Sequence, residues 1–322
     1  WTVDFDADGG EPVPAAQTVA DGGYVLEPQT NPEKTGYEFL GWFQKGSTVE
    51  FIFTNFNVTE DLELVAHWKV TIPEGKEESE KAIQKIVDDV DKSKGGVVVE
   101  VSGTTDQETV EKLIKEAQDK GVEDKVQLDV NDKESAAVVG KAIDAVKKSE
   151  QPVPVTVTDT NKEAVTTVLD NVEDKSKVSL PVSGDGTNIG TILEISSTEK
   201  YQDAKVQVPE KIAVSDPVTM TVGKVKTVTL EDIARGASNG NSAEKLTLDL
   251  VDKDSNVKDA ISILGAKDVN SSAINVTNPP ENVTISKNPS GDKHDLTSKD
   301  EGVSELAITG MTGIQAAAVS TK

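Results

Sequence analysis

The chain has 322 residues, 35% hydrophobic and 28% charged, and carries 57 Asp plus Glu against 33 Lys plus Arg, a formal charge of −24. That surface repels phosphate backbones and anionic head groups, so nucleic acid is not an expected partner. No uncharged run approaches the roughly 20 apolar residues that span a bilayer, so no membrane insertion is expected in this segment. Cysteine is absent, which removes disulfides, thiol nucleophiles and thiolate metal sites together, and Arg235 is the sole arginine.

The length predicts two or three domains. The chain opens at Trp1 without an initiator Met or an apolar signal segment, as expected of a processed protein or an excised fragment. Eleven of the twelve aromatics precede residue 70, and only Tyr201 follows. This break in core chemistry predicts a domain boundary near residue 70. A module of that size has little interior, and bulky rings give it the most buried area per residue. Within it, turn signals separate short alternating runs: TVDF, YVL, YEFLGWF, VEFIF and LELVAHW. A strand-rich module is expected.

The order DFDADGG, EPVP, GGYVLEP, GYEFLGWF and TEDLELVAHW over residues 2–69 resembles the internalin-type B-repeat of bacterial surface proteins. The resemblance implies a β-grasp-like fold, secretion, attachment to a bacterial envelope within a longer chain of modules, and no catalytic residues. Such repeats commonly close on Lys-Trp, whereas this chain has His67 before Trp68.

From residue 77 one apolar quartet recurs four times at i, i+3, i+4, i+7: Ile83, Ile86, Val87, Val90; Val110, Leu113, Ile114, Ala117; Val139, Ala142, Ile143, Val146; and Val165, Val168, Leu169, Val172. Each set lines one face of an amphipathic helix. Each helix is followed by a Val-rich strand, VVVEVSG, VQLDVND, VPVTVTD and VSLPVSG, whose last valines Val101, Val130, Val157 and Val182 are 29, 27 and 25 residues apart. An internal repeat with short connections favours a mostly parallel sheet. Capping-box spacing is read at Thr105 with Glu108, Asn131 with Glu134, and Thr160 with Glu163. After the fourth strand SGDGTN signals a turn, and IGTILEIS is expected to add an antiparallel strand.

Residues 71–205 are thus expected to form one α/β domain. Open α/β sheets place ligand crevices beyond the carboxyl ends of their strands, which here nominates Ser102, Thr104, Asp106, Asn131, Asp132, Thr158 and Asp159. The same residues read as caps and turns, and neither a G-x-G-x-x-G nor a Walker-type lysine loop follows any of these strands. Residues 206–322 read as short strands, KVQV, VTMTV, VKTVTL, KLTLDLV, INVT, VTIS and ELAITG, which predict an immunoglobulin-like β-sandwich. VKDAISILG allows one short helix.

Candidate chemistry is sparse. Asp4, Asp6, Asp8 and Gly9 mimic the start of an EF-hand, but Ala15 stands where the bidentate Glu belongs, so a strand and turn are expected. Asp252, Asp254 and Asn256 alternate similarly, with Val257 in place of Gly. His67 is expected to be a packing residue and His294 a solvated loop residue, neither with a ligand-spaced partner. Asn57, Asn270, Asn275 and Asn282 begin Asn-x-Ser/Thr triplets, incidental in a bacterial protein. The expectation is a multidomain α+β chain: a β-grasp-like repeat over 1–70, an α/β repeat domain over 71–205 and a β-sandwich over 206–322. It is read as a non-enzymatic, extracellular part of a bacterial cell-surface or cell-wall protein acting in adhesion or as a spacer, with no catalytic, metal or cofactor site. The partner expected is a host or bacterial surface protein or a glycan. The alternatives are a carbohydrate- or peptide-binding module, with Trp1, Trp42 or Phe43 as stacking platform, and a hydrolase using paired carboxylates.

Overall fold

The computed structural model describes residues 1–46, 50–53, 57–146, 151–281, 283–287, 294–298 and 314–318. The alternating runs near the N-terminus become strands β1 (Thr2–Asp6), β2 (Gln17–Thr18), β3 (Glu38–Gln44) and β4 (Leu62–Thr71). Their inward side chains are the large rings, so the aromatics are mainly structural. Phe5 meets Trp42 edge-on at 5.0 Å and Phe39 meets Trp68 at 5.6 Å, with Val3, Leu64 and Ala66 filling the space between. Phe56 lies outside the described residues.

β4 changes partner midway. Residues 62–65 pair in parallel with β1, while residues 68–71 pair in parallel with β5 (Val97–Glu100). β3 runs antiparallel along residues 64–69. At those residues β3 holds one edge of β4, so β1 and β5 share the other, end to end. The composition break at residue 70 therefore falls inside a strand that both modules use.

From β4 onward helices and strands alternate. α1 (Lys76–Lys92) leads to β5, α2 (Gln107–Lys120) to β6 (Val126–Asp129), α3 (Lys133–Ala145) to β7 (Val153–Pro154), and α4 (Lys162–Asp170) to β8 (Val178–Pro181). Each strand pairs in parallel with the one before it, a Leu128–Val155 bridge joining β6 to β7. All four apolar quartets are buried, and consecutive helices pack side by side in one layer. Burying each Val, Ile or Leu contributes roughly 1.5–3 kcal/mol, which makes these quartets the main support of the layer. The approach of α3 to α4 is close: a Cβ on Gly140 would lie 2.5 Å from the Val168 carbonyl oxygen.

The helix starts differ from the capping-box reading by one residue. Asp106 and Asp132 are the N-caps, accepting from the backbone N–H of Thr109 at 2.9 Å and of Ser135 at 2.7 Å. A carboxylate accepts a stronger, charge-assisted bond than the hydroxyl of Thr105 or the amide of Asn131, and it complements the helix dipole.

The chain divides into two compact units, Trp1–Ser183 with Asp203–Gln207, and Gly184–Gln202 with Val208–Lys322. Two expectations fail here. IGTILEIS is the helix α5 (Ile189–Ser196), not an antiparallel strand, and the strand that follows, β9 (Lys205–Gln207), joins β8 in parallel. Ile189, Ile192, Leu193 and Ser196 are buried at helical spacing, which overrides the local β preference of this run.

The described part of residues 206–322 is not an immunoglobulin-like sandwich through residue 281. β10 (Val218–Thr221), α6 (Thr227–Asn239), β11 (Leu246–Asp249), α7 (Asp254–Gly265) and β12 (Asn275–Thr277) continue the helix-strand alternation with parallel pairing. VKTVTL, expected as a strand, opens α6, which buries Leu230, Ile233, Ala234 and Ala237. α7 buries Val257, Ala260, Ile261 and Leu264, and both sets repeat the quartet spacing. Val218 pairs with Leu246, 28 residues on, and Ile274 follows after a further 28. Beyond them β13 (Val283–Lys287) pairs antiparallel with β14 (His294–Ser298), which pairs in parallel with β15 (Ile314–Ala318). The ELAITG strand and Asn282 lie outside the described residues.

Candidate functional site

The parallel register places the nominated residues along one rim, where strands hand over to helices. Ser102 Oγ lies 2.9 Å from Thr104 Oγ1 and 3.2 Å from Thr105 Oγ1, and Thr104 donates to Glu74 at 2.9 Å. Asp106 is spent on its cap: the Thr109 backbone N–H holds its carboxyl below the usual range. The next loop lies close by, since a Cβ on Gly103 would sit 3.5 Å from Asp132 Oδ1. Thr158 Oγ1 lies 3.1 Å from Thr160 Oγ1, while Thr158 N–H donates to Asn161 Oδ1 at 2.8 Å. Asp159 is exposed at the tip of that loop. The rim thus brings Ser102, Thr104, Asp106 and Asp132 into one neighbourhood and keeps Thr158 with its own turn.

Two features of this rim were not nominated from sequence. Asn161 is buried and its amide donates to Val130 O at 3.2 Å and to Thr156 O at 2.9 Å, tying two adjacent strand ends together. On the sheet face away from the helices, Lys69 lies 2.9 Å from Asp129 and 3.6 Å from Glu100, and Thr71 donates to Glu100 at 2.8 Å. Asn131 reaches the same group, its amide 3.4 Å from Asp129. Burial disfavours the Lys69 ammonium, yet the Asp129 hydrogen bond and the charges of Asp129, Glu100 and Glu38 outweigh it and raise its pKa. The signal was in the strands, where VVVE and VQLD put Glu100 and Asp129 out of phase with the buried valines.

The acidic N-terminal run has a different use from a calcium loop. Asp8 accepts from Ser93 Oγ at 2.6 Å and from the Lys94 N–H at 3.1 Å. Lys94 Nζ lies 2.8 Å from Asp6 and 2.6 Å from Glu63. Tyr37 donates to Asp89 on α1 at 2.7 Å. These bonds lash the first module to the end of α1. Around the second acidic run, Asn256 is buried and donates to Leu250 O at 2.9 Å. Among the described residues no group of three or more His, Asp or Glu is placed to hold a metal ion.

His67 is half-buried with its ring stacked 3.8 Å from Phe43, and burial pulls its pKa down to about 4. His294 opens β14 and is not in a loop. Residues 236–240 spell G-x-S-x-G, a match that sequence reading passed over. They form the last turn of α6 and the residue after it, where Ser238 donates to Ala234 O at 2.6 Å, and no strand-to-helix elbow is built there. Of the rings proposed as a stacking platform, Trp42 is 2% exposed and Phe43 is engaged by His67. Trp1 remains, 47% exposed, and Tyr24, which was not among the rings proposed, is 55% exposed.

Residues 1–67 match the family model of the Listeria-Bacteroides repeat domain, a repeat of bacterial surface proteins. A protein of Evansella cellulosilytica named "Putative membrane protein" is 35% identical over 71 residues, 22% of this chain. The match spans only 10% of that relative's length. No solved structure matches the chain. Among the described residues no helix is long and apolar enough to cross a membrane.

Proposed function

We propose that this chain is a non-enzymatic, extracellular stretch of a bacterial cell-surface protein that acts as a modular spacer and in adhesion, with residues 2–69 an internalin-type B-repeat. The observation that carries this reading is the surface repeat at residues 1–67 whose last strand, β4, also serves as the first strand of the helix-strand array. A rim whose polar groups are occupied by caps and turns supports a scaffold that works through its outer surfaces. Protease treatment of intact cells of the source organism tests it: loss of the protein without lysis is expected, and a protein found only in the cytoplasm would overturn the reading.

A glycan- or peptide-binding role is the second reading, favoured by the exposed rings of Trp1 and Tyr24, with Trp1 Nε1 donating to Asp21 at 2.7 Å. Exposed rings beside carboxylates suit sugar stacking. A sugar that binds there quenches tryptophan fluorescence, and Trp1→Ala abolishes the quench. A quench that survives in Trp1→Ala would exclude this platform.

A further inference from the structure

We infer that the β1–β4 pair is a mechanical clamp, so that the first module resists tension applied along the chain. This rests on the spacer reading and asks more of it, namely that the spacer carries load. β1 and β4 run parallel in the register Val3–Leu62, Asp4–Glu63, Phe5–Leu64 and Asp6–Val65. The chain enters at the amino end of β1 and leaves at the carboxyl end of β4, and in a parallel pair those ends lie at opposite ends of the ladder. Tension between them slides one strand along the other, so every ladder bond and every interdigitated side chain is loaded at once. An antiparallel hairpin pulled from its open end gives way one bond at a time.

The surroundings reinforce this shear geometry. Val3 and Leu64 are fully buried on the inner face. On the outside Lys94 bridges Asp6 of β1 and Glu63 of β4, at 2.8 and 2.6 Å, and the Thr2 N–H donates to Asp61 at 2.7 Å at the foot of the pair. β3 and β5 hold β4 along its remaining length, so the strand that takes the load is anchored on both edges. Downstream in the same unit, the repeats from α1 to β8 pack chiefly on their neighbours and are expected to peel off singly under the same load.

The absence of native cysteine lets force handles be placed one pair at a time in the full chain. Thr2→Cys with Pro73→Cys loads β1 against β4 in shear; Thr2→Cys with Thr59→Cys pulls the same two strands from a common end and unzips them. The opening lengths, at most about 250 Å and about 200 Å, identify the events. Rupture force in the shear geometry is expected to exceed the unzipping force several-fold at equal loading rate, and Asp4→Cys in place of Thr2→Cys keeps the order. Equal forces in the two geometries, in proteins with unchanged circular dichroism, would overturn the clamp and leave surface location untouched. A cytoplasmic location would sink the spacer reading and leave the force order intact.

Discussion

Gly140 and Gly190 set two opposing effects against each other. Gly140 lies in the middle of α3 and Gly190 at the second position of α5, and Ala in place of Gly is worth about 1 kcal/mol of propensity in a helix interior and less in the first turn. At Gly190 an added Cβ meets nothing within 4 Å, so Gly190→Ala is expected to keep that gain, roughly 0.5–1 kcal/mol. At Gly140 the same carbon falls 2.5 Å from the Val168 carbonyl oxygen and 2.6 Å from Asn171 Cβ, inside the 3.5–4.0 Å optimum for carbon contacts. One of the two atoms is backbone, so α3 and α4 must separate and thin the contact between their buried quartets. Overpacking costs about 1–3 kcal/mol, and a clash with backbone, which cannot rotate away, belongs in the upper part of that range, about 2–3 kcal/mol, so Gly140→Ala is destabilised by about 1–2 kcal/mol net. Urea unfolding followed by circular dichroism reads both variants, as a lower midpoint for Gly140→Ala and a higher one for Gly190→Ala at unchanged m-value. A Gly140→Ala protein as stable as its parent would show that α3 and α4 do not pack as closely as described.

Three further outcomes follow from the caps, the junction and the His67 imidazole. Asp106→Ala removes the α2 cap and is expected to cost about 1 kcal/mol at neutral pH. Because the folded carboxyl titrates below its unfolded value, that difference shrinks as pH falls below about 4, measurable as converging urea midpoints. Asp8→Ala frees Ser93 and the Lys94 amide and is expected to lower stability by about 1–2 kcal/mol, with faster hydrogen exchange at residues 93–95. His67 titrates near pH 4 when folded, below its unfolded value, so stability falls as pH drops from about 6.5 to about 4. His67→Gln flattens that slope, and a variant that keeps the full slope would assign it to another group.

How much of this was legible in sequence depended on how local the signal was. The four quartets starting at Ile83, Val110, Val139 and Val165 read correctly because the valine strands between them set the period. The same quartet at Leu230, Ile233, Ala234 and Ala237 was present but lay behind VKTVTL, whose β-branched residues favour a strand until burial on a helical face overrides them. Ile189 to Ser196 misled in the same way. The double use of β4 had no local mark: LELVAHWKVT reads as one strand, and only register tells that its two halves serve different partners. At the rim, residue types pointed correctly to caps, but the choice between Thr105 and Asp106, or Asn131 and Asp132, turned on which side chain met the N–H three residues on.

The central claim is that the surface repeat and the helix-strand array are built on one shared strand. Native-state hydrogen exchange of the full chain tests it most directly, because amides that open together share one free energy. The account predicts a common opening free energy for the paired amides of β1, β4 and β5, rising and falling together with denaturant. If β1 opened independently while β4 stayed protected with β5, the two modules would merely adjoin and the shared-strand account would be contradicted.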